Sequence, residues 1–161
     1  MRINISASVE NEHDVLPNIT AGIMSNIVPM TLFLNPKTES YNRFGKNKAP
    51  KYISWSTQIR SQLIRVPAVQ GQDSHVELRS PDPTCNPYIA FTLLIRAGLD
   101  GIKNNPKLPQ PADFNFNDAC AEVLEKYSTL PMSLECAKTA ALESEFITDN
   151  LPKCIIDNYA N

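Results

Sequence analysis

The stretch HVELRSPDP at residues 75–83 decides the fold of this chain, because it places charged side chains where a core strand would be apolar. In an extended segment side chains alternate between two faces, so His75, Glu77 and Arg79 share one face. The two apolar residues between them share the other. The pattern predicts a strand that packs on one side and presents functional side chains on the other.

A second strand is predicted just upstream, in RSQLIRVP at residues 60–67. The short connection that follows contains Gly71, so the two strands are predicted to be antiparallel neighbours joined by a hairpin-like return. Facing residues in such a pair lie about 5 Å apart. This spacing would bring Arg65 close to Glu77 or Arg79.

Several guanidinium groups are therefore expected to converge near one carboxylate, with Arg60 farther away on a neighbouring loop. Arginine binds phosphates and carboxylates well because its planar fork of donors stays charged and pre-oriented. The natural ligand of such a face is an anion. The alternative is a set of rim salt bridges on an exposed sheet edge, each worth about 0 to 1 kcal/mol.

The N-terminal part of the chain predicts both strands and a helix. Apolar and polar residues alternate over residues 3–9, which indicates a half-buried strand. Apolar residues at helical spacing from 16 to 27 predict a helix that ends at Pro29. A short strand is expected at 31–34, followed by a long polar loop at 35–50.

The C-terminal part predicts mostly helices. Asn86 and Pro87 form a good N-cap and first turn for a mostly buried helix that closes at Gly98. Residues 104–116 are rich in proline and predict an irregular excursion. Further helices are expected at 118–127, 133–142 and 149–159. Asp118 and Ser133 are the predicted N-caps of the first two.

Composition excludes several classes of protein. The chain has 161 residues, 42% of them hydrophobic, and a net charge of −2, which fits one globular domain and argues against a nucleic-acid or acidic membrane partner. Its four cysteines contain no CxxC pair, so neither a zinc knuckle nor a disulfide framework is indicated. No apolar run approaches the ~20 residues that span a bilayer. A soluble, cytoplasmic protein is expected.

Seven segments, in order and spacing, resemble the catalytic domain of type I glutamine synthetases. They are NPKTESYNR (35–43), APKYISWS (49–56), RSQLIRVP (60–67), ELRSPDP (77–83), NPY (86–88), AGLDGIKN (97–104) and LPMSL (130–134). The resemblance covers essentially the whole chain. It implies an α+β fold, with an antiparallel sheet flanked by helices, as part of a glutamine synthetase/guanido kinase-like catalytic domain.

The resemblance also implies that residues 1–161 are the C-terminal portion of that domain. The family's N-terminal β-grasp domain and the first catalytic strands, which carry three glutamate metal ligands, would lie outside the chain. Family members form stacked rings, dodecamers in type I, with active sites between neighbouring subunits. The chain alone is therefore expected to form no complete site and to be inactive.

Glutamine synthetases phosphorylate the glutamate side chain with ATP, and ammonia then displaces the phosphate from the acyl phosphate. Mg²⁺ or Mn²⁺ neutralises the phosphoryl oxygens. By resemblance, Arg43 would bind the α-carboxylate of glutamate, and Arg60 and Arg65 would contact the ATP phosphates and the transferring phosphoryl group. Glu77 would bind the metal, and Arg79 would hold the glutamate side chain or its acyl phosphate.

The resemblance places Asn4 and Ser6 at nucleotide-contacting positions. Each assignment has a simpler alternative. Asn4 and Ser6 could be solvent-facing strand residues, Arg43 could be a loop arginine that caps a carbonyl, and Glu77 could be a salt-bridge partner of Arg65.

The chain also departs from the family pattern at charged positions. Arg2 stands where a metal-binding histidine is usual, and Lys48 stands where a flap glutamate helps to deprotonate ammonium. His75 replaces an arginine directed at phosphate, and Ile59 replaces an asparagine. These changes suggest an altered site.

Two alternatives to an active ligase follow from these departures. The chain could be a non-catalytic homologue that binds a nucleotide or another anion, or that acts as an assembly partner of a complete enzyme. It could also be a fragment whose unpartnered strand edges and apolar helix faces make it aggregate or fold only on binding.

Overall fold

Four strands form one sheet in the computed structural model, which describes residues 3–6, 15–68 and 74–161. The strands are β1 (Ile3–Ser6), β2 (Trp55–Ser56), β3 (Ile64–Arg65) and β4 (His75–Leu78). Their order in the sheet is β1-β4-β3-β2. The two strands predicted from the charged stretches, β3 and β4, are thus neighbours, and the α+β class is confirmed.

The strand pairs set the register of the site. β4 is antiparallel to β1, with Asn4 opposite Glu77, and antiparallel to β3, with Arg65 opposite Glu77. β2 runs parallel to β3, so the sheet is mixed at one edge rather than antiparallel throughout. β3 is much shorter than the predicted eight-residue strand because residues 60–63 form a turn and bend before it.

Helix α1 (Leu16–Leu34) is longer than predicted. It continues through Pro29, so the predicted helix end at this residue and the predicted strand at 31–34 are both wrong. A proline inside a helix removes one hydrogen bond, but Met30 and Phe33 in the following turns are fully buried. Burial of this C-terminal half outweighs the local cost of the proline.

Helix α2 (Thr38–Tyr41) is a single turn inside the predicted loop, and helix α3 (Pro87–Asn104) follows β4. The Asn86 side chain accepts a hydrogen bond from the Tyr88 backbone N–H, which confirms the predicted N-cap. The predicted end at Gly98 is wrong. α3 ends one and a half turns later, where Asn105 takes a left-handed conformation with φ of 46°.

The glycines of α3 serve the packing of two helices rather than helix termination. A Cβ at Gly101 would overlap the Asn18 carbonyl oxygen and lie 2.9 Å from the Gly22 Cα, so α1 and α3 can cross closely only without side chains there. The expectation that α3 is mostly buried is also wrong. One face packs on α1, and the opposite face is exposed.

Short helices complete the chain. The predicted helix at 118–127 is replaced by a 3₁₀ turn at Phe116–Asp118 and the single-turn α4 (Ala121–Leu124). The aromatic rings of this region pack together: Phe116 stacks on Tyr52 with ring centroids 4.6 Å apart, and Tyr127 meets the same ring edge-on at 4.9 Å. This packing and the extended backbone at 119–120 interrupt the helix.

Helix α5 (Leu134–Leu142) confirms the prediction at 133–142, including Ser133 as its N-cap. The single helix expected at 149–159 is in fact two, α6 (Glu145–Asn150) and α7 (Lys153–Ala160). Pro152 separates them because a proline holds the preceding residue in an extended conformation. No helix in the described ranges is long and apolar enough to cross a membrane.

Candidate functional site

Glu77 lies at the centre of the sheet and is almost completely buried, at 2% exposure. Its neighbours on β4, Val76 and Leu78, are fully buried on the opposite face, as the alternation predicts. A carboxylate in such a position must be neutralised by partners, because burial of an unpaired charge is very costly. The side chains around Glu77 provide that neutralisation.

Two arginines bind the Glu77 carboxylate, Arg65 from β3 and Arg79 from the position directly after β4. Arg65 Nη1 donates to Glu77 Oε1 at 3.1 Å, and Arg79 Nη1 lies 3.4 Å from Oε2. The predicted convergence of guanidinium groups on one carboxylate is therefore present in the structure. We call Glu77, Arg65 and Arg79 the carboxylate cluster.

Among the described residues, the carboxylate cluster carries more positive than negative charge, since two guanidinium groups face one carboxylate. His75 adds a third contact, with its Nε2 3.5 Å from Glu77 Oε1, and becomes a further cation when protonated. Arg65 and Arg79 are each only about one fifth exposed or less. The cluster is thus a partly desolvated positive surface, which favours an anionic ligand.

Asn4 and Ser6 lie on the neighbouring strand, in register with Glu77 and His75 respectively. Backbone pairing therefore places both predicted nucleotide-contacting residues beside the carboxylate cluster. Ala7 and Val9, the rest of the predicted N-terminal strand, lie outside the described residues, as do Arg2 and Gly71.

Arg43 is bound by residues from two other loops. Its Nη2 donates to Asn35 Oδ1 at 2.6 Å and to the Ser80 backbone carbonyl, and its Nε lies 3.8 Å from Asp82 Oδ2. Burial lowers the pKa of Arg43, and the charge of Asp82 partly offsets that effect. This arrangement resembles the alternative role, a loop arginine that caps a carbonyl.

Asp82 joins the end of β4 to the end of α1. Its backbone N–H donates to the Leu34 carbonyl at 2.8 Å, and its Oδ1 accepts hydrogen bonds from the Thr84 N–H and hydroxyl. Burial alone would raise the pKa of Asp82, but the hydrogen bonds from the Thr84 N–H and hydroxyl and the Arg43 charge hold it below the ordinary value. Asp82 therefore anchors the loop that follows Arg79.

The remaining predicted residues lie away from the carboxylate cluster. Arg60 is exposed in the turn before β3 and makes no ion pair with the described residues. Lys48 is exposed in the 35–50 loop, and Ile59 is partly buried. The structure thus brings together Arg65, His75, Glu77 and Arg79, and leaves Arg60 and Lys48 at the surface.

Gln62 is a residue that the sequence reasoning missed. It is fully buried, and its Nε2 donates to the backbone carbonyls of Ala112, at 2.6 Å, and Phe114, at 2.7 Å. Nearby, the Ser56 hydroxyl donates to Asp113 Oδ1. These bonds attach the proline-rich excursion to the strands that carry Arg65. The available signal was a polar glutamine directly before the apolar pair Leu63-Ile64.

A divalent metal would find one carboxylate here. Within the described residues no group of three histidine, cysteine or acidic side chains could hold a metal ion, and Mg²⁺ prefers six oxygen ligands. Glu77 therefore fits as one ligand among several, the others coming from phosphate oxygens, water or other polypeptide. A metal bound there would share the carboxylate with Arg65 and Arg79.

Comparison with known proteins agrees with this geometry. Residues 4–161 match the family model described as the glutamine synthetase catalytic domain. The chain belongs to the glutamine synthetase family. The glutamine synthetase of Methanosarcina mazei is 40% identical over 141 residues, covering 86% of this chain and 32% of the relative. That of Staphylococcus aureus strain MW2 is 40% identical over 145 residues, covering 88% and 32%.

The chain spans about one third of the length of these curated glutamine synthetases. The match includes β1, β3, β4 and the carboxylate cluster between them. Family membership therefore applies to the part of the chain that carries the site.

Proposed function

We propose that this chain supplies the phosphate-binding and carboxylate-binding part of an ATP-dependent glutamine synthetase, a ligase that amidates glutamate through an acyl phosphate. The observation that carries the proposal is the carboxylate cluster, in which two arginines, Arg65 and Arg79, share one buried carboxylate among the described residues. Phosphoryl transfer needs this kind of pre-arranged positive charge, because its transition state spreads negative charge over the phosphoryl oxygens.

The arginines have different roles in this proposal. Arg65 contacts the ATP phosphates from β3, and Arg79 holds the glutamate side chain as it becomes the acyl phosphate. Arg60, in the exposed turn, reaches the transferring phosphoryl group, so Arg60 and Arg79 are the proposed catalytic residues. Their planar forks suit the paired oxygens of phosphate and carboxylate.

Three further residues would bind the substrates. Asn4 and Ser6 contact the nucleotide from β1, which their register beside Glu77 and His75 supports. Arg43 binds the α-carboxylate of glutamate. Its Nη2 is used by Asn35 and Ser80, so the proposal assigns this contact to Nη1, which makes no hydrogen bond to the described residues.

Glu77 is the proposed metal ligand, for Mg²⁺ or Mn²⁺. The metal would neutralise phosphoryl oxygens, while the protein side chains position the phosphates around it. The proposed substrates are glutamate, ammonia and ATP. The complete protein is proposed to act in the cytoplasm as a ring-shaped homo-oligomer, a dodecamer. The four free cysteines, three of them exposed, support a reducing compartment.

The isolated chain is proposed to be inactive in glutamine synthesis. It presents one carboxylate ligand among the described residues, and the exposed Lys48 puts a positive charge where the family has a flap glutamate. A lysine there repels ammonium and cannot act as its base. The chain would therefore bind ligands without turning them over.

Calorimetric titration with Mg²⁺-ATP tests the proposed ligand chemistry. The wild-type chain should bind ATP, and an Arg60→Ala/Arg65→Ala variant should bind it at least about a hundredfold more weakly, since each charged hydrogen bond contributes about 1.5 to 3 kcal/mol and the variant removes two of them. Arg96→Ala, at an exposed arginine of α3, is the matched control and should bind normally. Adenosine, which has no phosphates, should bind weakly to all three.

Circular dichroism would show that each variant is folded. Equal ATP affinity in the wild type and the double variant would contradict the proposal, as would adenosine binding as tightly as ATP. No binding at millimolar ATP by a folded wild-type chain would mean that the arginines serve the fold alone.

A further inference from the structure

A stripe of apolar side chains lies exposed along α3. It consists of five residues spaced three or four apart, which places them on one side of the helix. Each is between 41 and 82% exposed, and together they make up most of the large hydrophobic side chains exposed in the described ranges. We call these residues the α3 stripe: Tyr88, Phe91, Ile95, Leu99 and Ile102.

The α3 stripe faces away from the rest of the described chain. The opposite face of α3, which includes Leu93 and Ala97, is fully buried and packs on α1. Thr92, Arg96 and Lys103 border the stripe on one side. The stripe itself contains no charged residue over a length of about 21 Å, as the rise of an α-helix predicts for the fourteen steps from Tyr88 to Ile102.

An uncharged stripe of this length is typical of an interface and not of a surface that stays in water. A helix that covers a core usually has a polar outer face. In α3 only the border of the outer face is polar. The α3 stripe therefore requires a partner, and the structure offers two observations about what that partner is.

The first observation concerns strand β1. β1 is an edge strand of the described sheet and pairs with β4 alone among the described residues, so no described strand covers its outer edge. An open edge and an apolar helix face in the same chain indicate a partner that extends both the sheet and the helical layer. The rest of the same domain would be able to extend both the sheet and the helical layer.

The second observation is the length of the relatives. The chain covers 32% of each of two glutamine synthetases that are 40% identical to it, so about two thirds of their polypeptide has no counterpart in the match. A second copy of this chain is the alternative occupant, and the experiment below distinguishes it from the remaining polypeptide.

We propose that the α3 stripe is the docking face for the remaining part of a glutamine synthetase polypeptide, the part of the relatives that this chain does not match. The inference rests on family membership and on the exposed stripe, and not on the proposed ATP chemistry. The docking proposal would survive a failed ATP titration, and the proposed ATP chemistry would survive a failed co-expression experiment.

Co-expression tests this assignment. The tagged chain is produced together with the unmatched part of the Methanosarcina mazei glutamine synthetase and, separately, with that of Staphylococcus aureus. Purification through the tag should recover at least one of them in equal amount with the wild-type chain. The Phe91→Ser/Leu99→Ser variant should lose at least nine tenths of the recovered partner, an approximate tenfold change in an equilibrium of this kind.

An Arg96→Gln/Lys103→Gln variant is the matched control, because it changes the polar border and leaves the α3 stripe intact. It should recover the partner like the wild type. The stripe residues are exposed in the isolated chain, so the Phe91→Ser/Leu99→Ser variant alone should unfold in urea at the same concentration as the wild type, which separates loss of docking from loss of folding.

Three outcomes would overturn the proposal. The first is that neither polypeptide is recovered with the wild-type chain. The second is that the stripe variant recovers as much partner as the wild type. The third is a discrete dimer of this chain in the ultracentrifuge that the stripe variant abolishes and that the co-expressed polypeptide does not displace, which would assign the stripe to a second copy.

Discussion

Arg65 and Glu77 face each other directly across β3 and β4, with the Arg65 Nη1 3.1 Å from the Glu77 Oε1. This pair joins the register of the sheet to the charge of the site. A shift of one residue in β4 would turn Glu77 to the apolar face and expose Val76 and Leu78 on the other. The ion pair and the hydrophobic core therefore specify the same strand alignment.

Glu77→Gln should lower the stability of the chain. The substitution leaves Arg65 and Arg79 facing each other, partly buried, without the carboxylate that neutralises them. Because removing one partner of a buried ion pair is costly, we expect the free energy of unfolding to fall by about 3 kcal/mol. Urea unfolding followed by circular dichroism measures the change. Glu122→Gln, at an exposed position of α4, should change it by less than about 0.5 kcal/mol. Equal effects would contradict the account.

Asp82→Asn should destabilise the chain in a pH-dependent way. The pKa of Asp82 is held below its ordinary value of 3.8 in the folded protein. A depressed pKa contributes stability that is fully present above the unfolded value and is lost as the pH falls through the folded value. The wild type should therefore exceed the variant by about 1 kcal/mol at neutral pH, through charge-assisted hydrogen bonds, and this difference should shrink as the pH falls below the ordinary carboxyl pKa of 3.8.

Urea midpoints measured from neutral to acidic pH would show this convergence. Asp157→Asn, an exposed change on α7, is the matched control. A difference between wild type and Asp82→Asn that stays constant down to acidic pH would show that the Asp82 charge does not stabilise the fold.

Gly22→Ala should disrupt the crossing of α1 and α3. An added Cβ would overlap the Ala97 carbonyl oxygen and lie 2.6 Å from the Gly101 Cα, and both are backbone atoms that cannot rotate away. Overpacking of this kind costs about 1 to 3 kcal/mol or more, which exceeds the gain in helix propensity of about 1 kcal/mol.

Gly98→Ala is the matched control on the facing helix. Its added Cβ would lie 3.3 Å from a side-chain methyl group of Ile19, which can shift by a small amount. We expect its thermal unfolding midpoint to stay close to that of the wild type, while Gly22→Ala lowers the midpoint by several degrees. A larger loss in Gly98→Ala than in Gly22→Ala would contradict the helix crossing described.

Pro29→Ala should stabilise the chain, because α1 continues through this residue. Alanine restores a backbone donor inside the helix and removes the steric conflict of the proline ring, a change worth up to about 3 kcal/mol in a helix interior. Chemical denaturation measures the gain. A loss of stability, compared with Pro109→Ala in the irregular segment as a control for general proline effects, would show that α1 requires the proline.

The sequence predicted the site more closely than it predicted the helices. Alternation on β4 and the position of Arg65 were sufficient to place two arginines on Glu77, because strand geometry has a period of two and leaves little freedom. The same reasoning missed the parallel strand β2, since a two-residue strand carries almost no periodic signal. The hydrogen bonds of Arg43 to Asn35 and Ser80 connect different loops, so no local sequence pattern predicts them.

The errors in the helices have a common cause in tertiary packing. Pro29 and Gly98 are local signals for a helix end, yet α1 continues because Met30 and Phe33 are buried, and α3 continues because Gly101 meets α1 at close range. In each case contacts with a second element outweigh a local preference of about 1 to 3 kcal/mol. Such contacts cannot be seen in one segment at a time.

If the carboxylate cluster binds phosphate together with a divalent cation, ATP binding should depend on Mg²⁺ in the wild type and not in Glu77→Gln. Both would be titrated with and without Mg²⁺, at a temperature where circular dichroism shows both chains folded. We expect Mg²⁺ to raise the ATP affinity of the wild type by about tenfold and that of Glu77→Gln hardly at all. We also expect tighter binding of metal-free ATP by the variant, because the arginines then lack the Glu77 carboxylate. The same Mg²⁺ dependence in both chains would show that Glu77 is a structural ion-pair partner only.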